Sequence, residues 1–222
     1  MTARRPRTHG FTLAELALVL VIVGLLSSGL LGSLSAQMET RKLGEARRDL
    51  AEIREALLGF AATNGYLPCP DKDTDPALPG YGVADAPPCS GDGWLPFKSL
   101  GSPEFDPWGN HRSHIDDPSL GRWRYRVDKQ FVTLLALDTL QQESLAVVDR
   151  NGMALTNTAE ARDRPVAIVY SLGPDGTANG PNGDANPDQY MADTQTGAFD
   201  DQLIWISRPL LFNRMIAAGR PL

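Results

Sequence analysis

The chain of 222 residues contains 27 acidic and 21 basic side chains, which give a net charge of −6, and it has two cysteines. A protein with this acidic balance lacks the basic face that nucleic-acid binding requires, so we expect no nucleic-acid partner. The length suits one domain of ordinary size beside an N-terminal segment. The 21 glycines and 17 prolines predict many loops.

The N-terminus joins a short basic stretch to a long apolar one. Three arginines precede residue 8, and 23 uncharged residues separate Glu15 from Glu39. At about 1.5 Å per residue, a helix of that length crosses the roughly 30 Å hydrocarbon core of a bilayer. The arginines predict a cytoplasmic N-terminus. A carboxylate in lipid costs about 2–3 kcal/mol or more, so Glu15 needs a partner.

This segment has three interpretations. A cleaved secretory signal requires a shorter apolar run that does not begin with an acid. A plain membrane anchor explains the arginines and the apolar length, but it explains neither Glu15 nor the abrupt Gly10-Phe11 junction. The stretch Gly10-Phe11-Thr12-Leu13-Ala14-Glu15 resembles the leader of the type IV prepilins. We favour this third interpretation.

The prepilin resemblance implies roles for three residues. It implies cleavage by prepilin peptidase after Gly10 on the cytoplasmic side, and N-methylation of Phe11. It also implies that Glu15, the fifth mature residue, pairs with the N-terminal amine of a neighbouring subunit and sets the register of assembly. The alternative for Glu15 is a position in the headgroup region. Loss of the leader, residues 1–10, would change the net charge from −6 to −9.

The next element is a long helix. No proline interrupts residues 11–63, and apolar residues recur at helical spacing after residue 39. We predict one helix of about 53 residues, with a transmembrane and assembly half over 11–38 and an amphipathic half over 39–63. Asn64-Gly65 supplies a C-terminal cap. The apolar stripe of the second half comprises Leu43, Ala46, Leu50, Ile53, Leu57 and Phe60.

Residues 66–122 form a loop-rich region. Cys69 and Cys89 lie in turn-rich sequence that the N-terminal topology places outside the cytoplasm, and we predict a disulfide between them. Catalytic or metal-bound cysteines are the alternative, for which neither cysteine has a ligand-like neighbour. His111 and His114 form an H-x-x-H pattern without helical periodicity, so we expect surface histidines rather than a metal site.

Short strands follow, and the fold class is predicted to be α+β. We expect the long N-terminal helix to pack on a small, mostly antiparallel β-sheet with many loops. Residues 39–222 would form a periplasmic or extracellular globular domain, with its sheet region at 123–207 and a tail at 208–222. Predicted strands begin near Arg124 and at 145–149, 153–156, 166–170 and 203–207. Asn151-Gly152 predicts a hairpin turn, and short helices are predicted at 130–142 and in the tail, with Gly219 at its end.

Three further motifs resemble the major pseudopilins of type II secretion. They are Asp106-Pro-Trp-Gly-Asn110, Ser171-Leu-Gly-Pro-Asp-Gly176 and the acidic pair Asp200-Asp201 before the last strand. In that family the latter two motifs surround a calcium ion. The resemblance implies that the Leu172 carbonyl, Asp175, Asp200 and Asp201 are the ligands here.

The residues between those motifs support a cation site only in part. Calcium takes six to eight oxygen ligands, and residues 175–201 offer many Asp and Asn side chains and no basic residue. The stretch 184–190 also mimics the start of an EF-hand loop, but Gln189 replaces the expected glycine and Gln195 the closing Glu. A solvated Asn/Asp/Gly loop, stabilised by local turns across 173–201, is the third alternative.

The expected function is structural. The resemblances imply a subunit of a type IV pilus-like filament or of a type II secretion pseudopilus. Implied partners are other pilin or pseudopilin subunits, prepilin peptidase and an inner-membrane assembly platform. The precursor would span the bacterial inner membrane once before joining a periplasmic or extracellular filament. A filament-borne adhesin, and a minor subunit that initiates or caps the filament, remain alternatives. No G-x-S-x-G, H-E-x-x-H or P-loop motif points to an enzyme.

Overall fold

The structure is a computed structural model that describes residues 12–89, 91–109, 121–183 and 188–220, with the side chains of 26–35 excepted. It contains two compact units, Met1–Leu43 and Gly44–Leu222. Helix α1, Leu13–Asn64, begins in the first unit and ends in the second. Within the described residues, no helix has both the length and the apolar character that a membrane crossing requires.

The second half of α1 presents the predicted apolar stripe to the core. Ala46, Leu50, Ile53 and Leu57 are buried, as the spacing predicts. Leu58 and Ala61 are buried too, whereas Phe60 stays half-buried, so the stripe turns slightly around the helix. The predicted C-terminal end of α1 is also confirmed.

Gly65 ends α1. It has a φ of +86°, a backbone conformation that favours glycine, and its N–H donates to the Ala61 carbonyl at 2.8 Å.

The described residues after α1 contain six strands: β1 (Gly93–Trp94), β2 (Arg124–Val127), β3 (Ala146–Val148), β4 (Pro165–Ser171), β5 (Gln189–Met191) and β6 (Gln202–Ser207). Four of them form an antiparallel sheet in the order β1-β2-β4-β6. Every residue of β4 is buried, as expected of a central strand. The predicted α+β class with a small, mostly antiparallel sheet is confirmed.

A second, two-stranded sheet joins β3 and β5 in parallel. Tyr170 of β4 and Tyr190 of β5 link the two sheets. Their ring centroids lie 5.6 Å apart, and both hydroxyls donate to Asp92, at 2.6 and 2.5 Å. The carboxylate of a loop residue therefore fixes the spacing between the sheets.

Two predicted elements are wrong. Residues 153–156 form one isolated bridge, Val148 to Ala154, and not a strand. Two backbone hydrogen bonds join them to the other edge of β3, from Asp149 N–H to the Met153 carbonyl and from Leu155 N–H to the Val147 carbonyl. Residues 130–142 contain only a 3-10 turn, Lys129–Val132. Asp128 accounts for this second error. Its buried carboxylate accepts backbone N–H groups at 130, 142 and 143, and so ties the two ends of the segment together.

Helix α2 is a single turn at Phe97–Leu100. Helix α3 spans Arg208–Ala217, which confirms the helix predicted in the tail. Gly219, at φ +77°, follows the end of α3, and its N–H donates to the Ile216 carbonyl. The N–H of Arg220 donates to Met215 at 3.0 Å, which completes a two-bond helix cap.

The loop-rich region between α1 and β2 contains the predicted disulfide, with the Cα atoms of Cys69 and Cys89 5.9 Å apart. A buried ion pair between Asp71 and Arg122 secures the same region. The Arg122 guanidinium lies 4.3 Å from the ring centroid of Tyr81 and 5.3 Å from that of Trp94. The aromatic faces offset part of the cost of burying this charge.

The chain before residue 110 and the chain after residue 120 lie against each other. The Asp106 N–H donates to the Gly121 carbonyl at 2.7 Å. A Cβ on Gly121 would lie 2.2 Å from the Gly109 Cα, so only glycine permits this approach of two backbones. His111 and His114 lie outside the described residues.

Candidate functional site

Asp106 connects two of the motifs that the sequence singled out. Its carboxylate is buried; Oδ1 accepts the N–H groups of Trp108 and Gly109, at 3.0 and 2.7 Å. Its Oδ2 accepts the Ser171 hydroxyl at 2.5 Å, and the Ser171 oxygen accepts the N–H of Gly173 at 3.0 Å. The tryptophan-glycine turn and the end of β4 are therefore held by one side chain.

The third motif lies against the second at Gly173. This glycine has a φ of +61°, and a Cβ there would lie 2.5 Å from the carbonyl oxygen of Asp200. The N–H of Asp175 donates to Asp200 Oδ2 at 3.1 Å. We call Ser171, Gly173, Asp175, Asp200 and Asp201 the acidic junction. The structure thus brings together three of the predicted ligands.

Among the residues of the acidic junction, Asp201 has the most unusual environment. It is 2 % exposed, and Oδ2 accepts the Asn179 N–H at 2.9 Å and the Asn182 side-chain amide at 2.8 Å. Within the described residues, no donor reaches Oδ1. Burial raises the pKa of Asp201 from 3.8 to about 6; the two amide hydrogen bonds lower it, and the nearby charges of Asp200 and Asp175 raise it further.

Two other acids of the 173–201 loop form ion pairs with arginines. Asp193 receives two guanidinium hydrogen bonds from Arg150, at 2.6 and 2.9 Å, and Asp188 pairs with Arg126 at 2.9 Å. Both arginines lie outside the loop. These two acids therefore have cationic partners, although the loop itself contains no basic residue. Leu172, the fourth predicted ligand, packs its side chain beside the core cluster around Tyr170.

No group of three or more His, Cys, Asp or Glu side chains is arranged to hold a metal ion in the part of the chain that the structure describes. A calcium ion also takes carbonyl and amide oxygens. The start of the EF-hand-like stretch, residues 184–187, lies outside the described residues.

At the N-terminus, Glu15 caps α1. Its Oε2 accepts the backbone N–H and the hydroxyl of Thr12, both at 3.0 Å, and the Thr12 hydroxyl accepts the Glu15 N–H at 3.2 Å. This reciprocal pair of hydrogen bonds is a capping box, and its Thr-x-x-Glu spacing can be recognised in the sequence. Gly10 and Phe11 lie outside the described residues.

Sequence reasoning did not assign the roles of four residues that organise the junction. Asn179 and Asn182 hold Asp201, and Asn179 also accepts the Asp200 N–H at 2.9 Å. Asp106 and Ser171 connect the motifs. An Asp directly before a Pro-Trp-Gly turn is a signal for Asp106, because such side chains cap turns. No local pattern identifies Asn182, whose partner is 19 residues away.

Two comparisons with known proteins bear on this chain. The family model of the prokaryotic N-terminal methylation motif matches residues 5–31. The type II secretion system core protein G of Aeromonas hydrophila is 29 % identical over 119 residues, which are 54 % of this chain and 80 % of that protein. No solved structure matches. The comparisons confirm the resemblance to the pilin and pseudopilin family that the sequence predicts.

The raised pKa of Asp201 predicts a pH dependence. Because the folded protein holds this proton up to about pH 6 and the unfolded chain only to about 3.8, ionisation of Asp201 should reduce stability as the pH rises from 4 to 7. In the presence of a chelator, Asp201→Asn should be more stable than the parent at pH 7.5, by up to about 3 kcal/mol, and equally stable near pH 4. Urea unfolding at several pH values measures the difference.

The exposed Asp138 provides a control for that experiment. Asp138→Asn removes the same charge elsewhere and should track the parent at every pH. A stability difference for Asp201→Asn that does not change between pH 4 and 7.5 would contradict the assignment.

Proposed function

We propose, on the premise of its resemblance to the pilin and pseudopilin family, that this chain is a structural subunit of a type II secretion pseudopilus or of a type IV pilus-like filament. The observation that carries the proposal is the methylation motif over residues 5–31. The similarity to a secretion core protein favours the pseudopilus. Prepilin peptidase would cleave after Gly10, and a single-pass precursor in the inner membrane would pass through an assembly platform into the filament.

The decisive test of this function is processing. Gly10→Ala should leave the leader attached, because prepilin peptidase requires the glycine before its cleavage point under this proposal. Mass spectrometry of membranes that express the peptidase should find the parent chain beginning with N-methylated Phe11 and the variant chain intact. A parent chain that retains residues 1–10 would contradict the assignment.

Glu15 has two roles in this proposal, and they can be separated. The carboxylate caps α1 through Thr12, as the capping box shows. Its Oε1 accepts no hydrogen bond among the described residues, and we propose that after cleavage the carboxylate pairs with the Phe11 amine of a neighbouring subunit. Such a pairing is strong where water is excluded.

Glu15→Gln and Thr12→Ala distinguish the two roles. Glutamine also serves in a capping box, so Glu15→Gln keeps the cap and removes the charge. Thr12→Ala removes the cap and keeps the charge, at a cost of about 1 kcal/mol. We expect Glu15→Gln to abolish filaments in sheared fractions and Thr12→Ala to retain them. The reverse pattern would assign Glu15 to capping alone.

We also propose that the acidic junction binds calcium. All of its potential ligand atoms are oxygens, which suit a hard cation. Asp201 also has a buried Oδ1 that receives no hydrogen bond from the described residues. The ligands would be Asp201, Asp200, Asp175 and the Leu172 carbonyl, and the three carboxylates would have to move closer together on binding, because the described side chains are not arranged to hold a metal ion. A bound cation would turn the unfavourable ionisation of Asp201 into a favourable one, and so would order the 173–201 loop.

Calcium should therefore stabilise the full chain in detergent micelles at pH 7.5. A ligand present at ten to a hundred times its Kd adds about 1.4–2.7 kcal/mol to the free energy of unfolding, which is several degrees in Tm for a domain of this size. Asp201→Asn should lose the shift, and Asp138→Asn should keep it. No shift for the parent at 10 mM calcium (roughly ten times the weakest Kd of extracellular calcium sites) would favour a loop held by its own turns.

A minor subunit that initiates or caps the filament is the second candidate. The alignment with the secretion core protein covers 54 % of this chain, so nearly half of the chain lies outside it. Filament-bound immunogold labelling distinguishes the two: label along the shaft identifies a major subunit, and label confined to one end identifies a minor one.

A further inference from the structure

Strand β6 is an unblocked edge of the main sheet. In the described residues, β4 pairs with one side of β6 and no strand pairs with the other. Natural edges are usually blunted by charges, prolines or bulges, because exposed backbone groups recruit other strands. The six residues of β6 include no charge and no proline, and Leu203, Ile204 and Trp205 are each partly exposed.

Two cavities lie along this edge. One has a volume of about 380 Å³ and the other about 360 Å³, and both are lined by Leu203 and Ile204. The opposite wall is the second half of α1, which contributes Leu50 and Ala51 to the first cavity. We call these cavities together the β6 groove. Six residues of strand extend roughly 20 Å, enough for a short extended peptide.

Arginines line the helical wall of the groove. Arg47 lines the first cavity and Arg54 lines both. Neither forms an ion pair within the described part of the chain, and the half-buried Arg54 has an Nε that no described acceptor reaches. The two Cα atoms are two helical turns apart, roughly 10 Å. Arginines are effectively always charged, so this wall presents two cations beside an apolar edge.

The acids in the groove do not cancel these cations. Asp193 lines the first cavity, but Arg150 binds its carboxylate through two guanidinium nitrogens. Asp201 lines the same cavity but is only 2 % exposed, and its Oδ2 is bound by two amides, so little of its carboxylate faces the groove. Among the charged side chains that line the groove, the accessible and unpaired ones are therefore the two arginines.

We propose that the β6 groove binds an extended, carboxylate-bearing segment of a partner protein by strand addition. Backbone hydrogen bonds to β6 would supply affinity, and ion pairs with Arg47 and Arg54 would select acidic sequences. Carboxylates two or four positions apart on a strand are roughly 7 or 13 Å apart, within reach of both guanidinium groups. This proposal stands independently of filament assembly, since the groove lies within the unit Gly44–Leu222.

Two synthetic heptapeptides test it with the full chain in detergent micelles. Thr-Glu-Val-Thr-Val-Glu-Thr carries glutamates four positions apart, and Thr-Lys-Val-Thr-Val-Lys-Thr has the same apolar residues with the opposite charge. Hydrogen exchange measured by mass spectrometry should show slower exchange of amides 202–207 with the first peptide only. Arg47→Glu replaces an attraction by a repulsion between like charges, so it should weaken binding of the first peptide roughly tenfold.

The exposed Arg48 is the matched control, because it neighbours Arg47 without lining either cavity. Arg48→Glu should bind the acidic peptide as the parent does. The double variant Arg47→Glu/Arg54→Glu should prefer the lysine peptide, and its unchanged exchange elsewhere would show that it folds. Three results would overturn the proposal: no protection of 202–207, equal protection by both peptides, or protection that rises with protein concentration without peptide, which would identify a second copy as the occupant.

Discussion

The buried carboxylate of Asp106 connects parts of the domain that lie far apart in the sequence. It accepts two backbone N–H groups in its own turn and the Ser171 hydroxyl at the end of the central strand. Through Ser171 it positions Gly173, whose backbone lies against Asp200 at the entrance to β6. An unsatisfied buried polar group costs about 1–3 kcal/mol, so loss of Asp106 would leave several donors unpaired at once. The loop between β4 and β6 therefore depends on a residue more than 60 positions away.

The same junction explains the unusual state of Asp201. Asp106 and Gly173 hold two chain segments together near the start of β6, where Asp201 is almost fully buried. The backbone N–H of Asn179 and the side-chain amide of Asn182 both donate to Oδ2 of Asp201, and no described donor reaches Oδ1. Burial therefore raises the pKa of this carboxyl to about 6. Packing thus creates a buried group whose charge responds to pH.

The sequence predicted local features well and long-range ones poorly. The span of α1, its buried stripe and its end at Gly65 follow from periodicity and capping, which neighbouring residues decide. The disulfide and the α+β class were also predictable. The strand at 153–156 was wrong because its antiparallel pairing with β3 is limited to one bridge, whereas the distant β5 pairs with β3 over three residues. The helix at 130–142 was wrong because the buried Asp128 competes for its backbone N–H groups. Tertiary hydrogen bonds outweighed local propensity in that segment.

Glu15 shows how a local and an intermolecular interaction share one side chain. A carboxylate in the first turn of a helix is stabilised by the free N–H groups and by the helix dipole, so the capping box makes the N-terminus of α1 a natural place for an acid even in an apolar segment. Proteolysis after Gly10 would add a second positive charge, the Phe11 amine, within a few residues of the same carboxylate. A bond between that carboxylate and the amine of a neighbouring subunit would join two opposite charges where water is excluded. The amine exists only after cleavage, so under the proposed function cleavage would have to precede this contact.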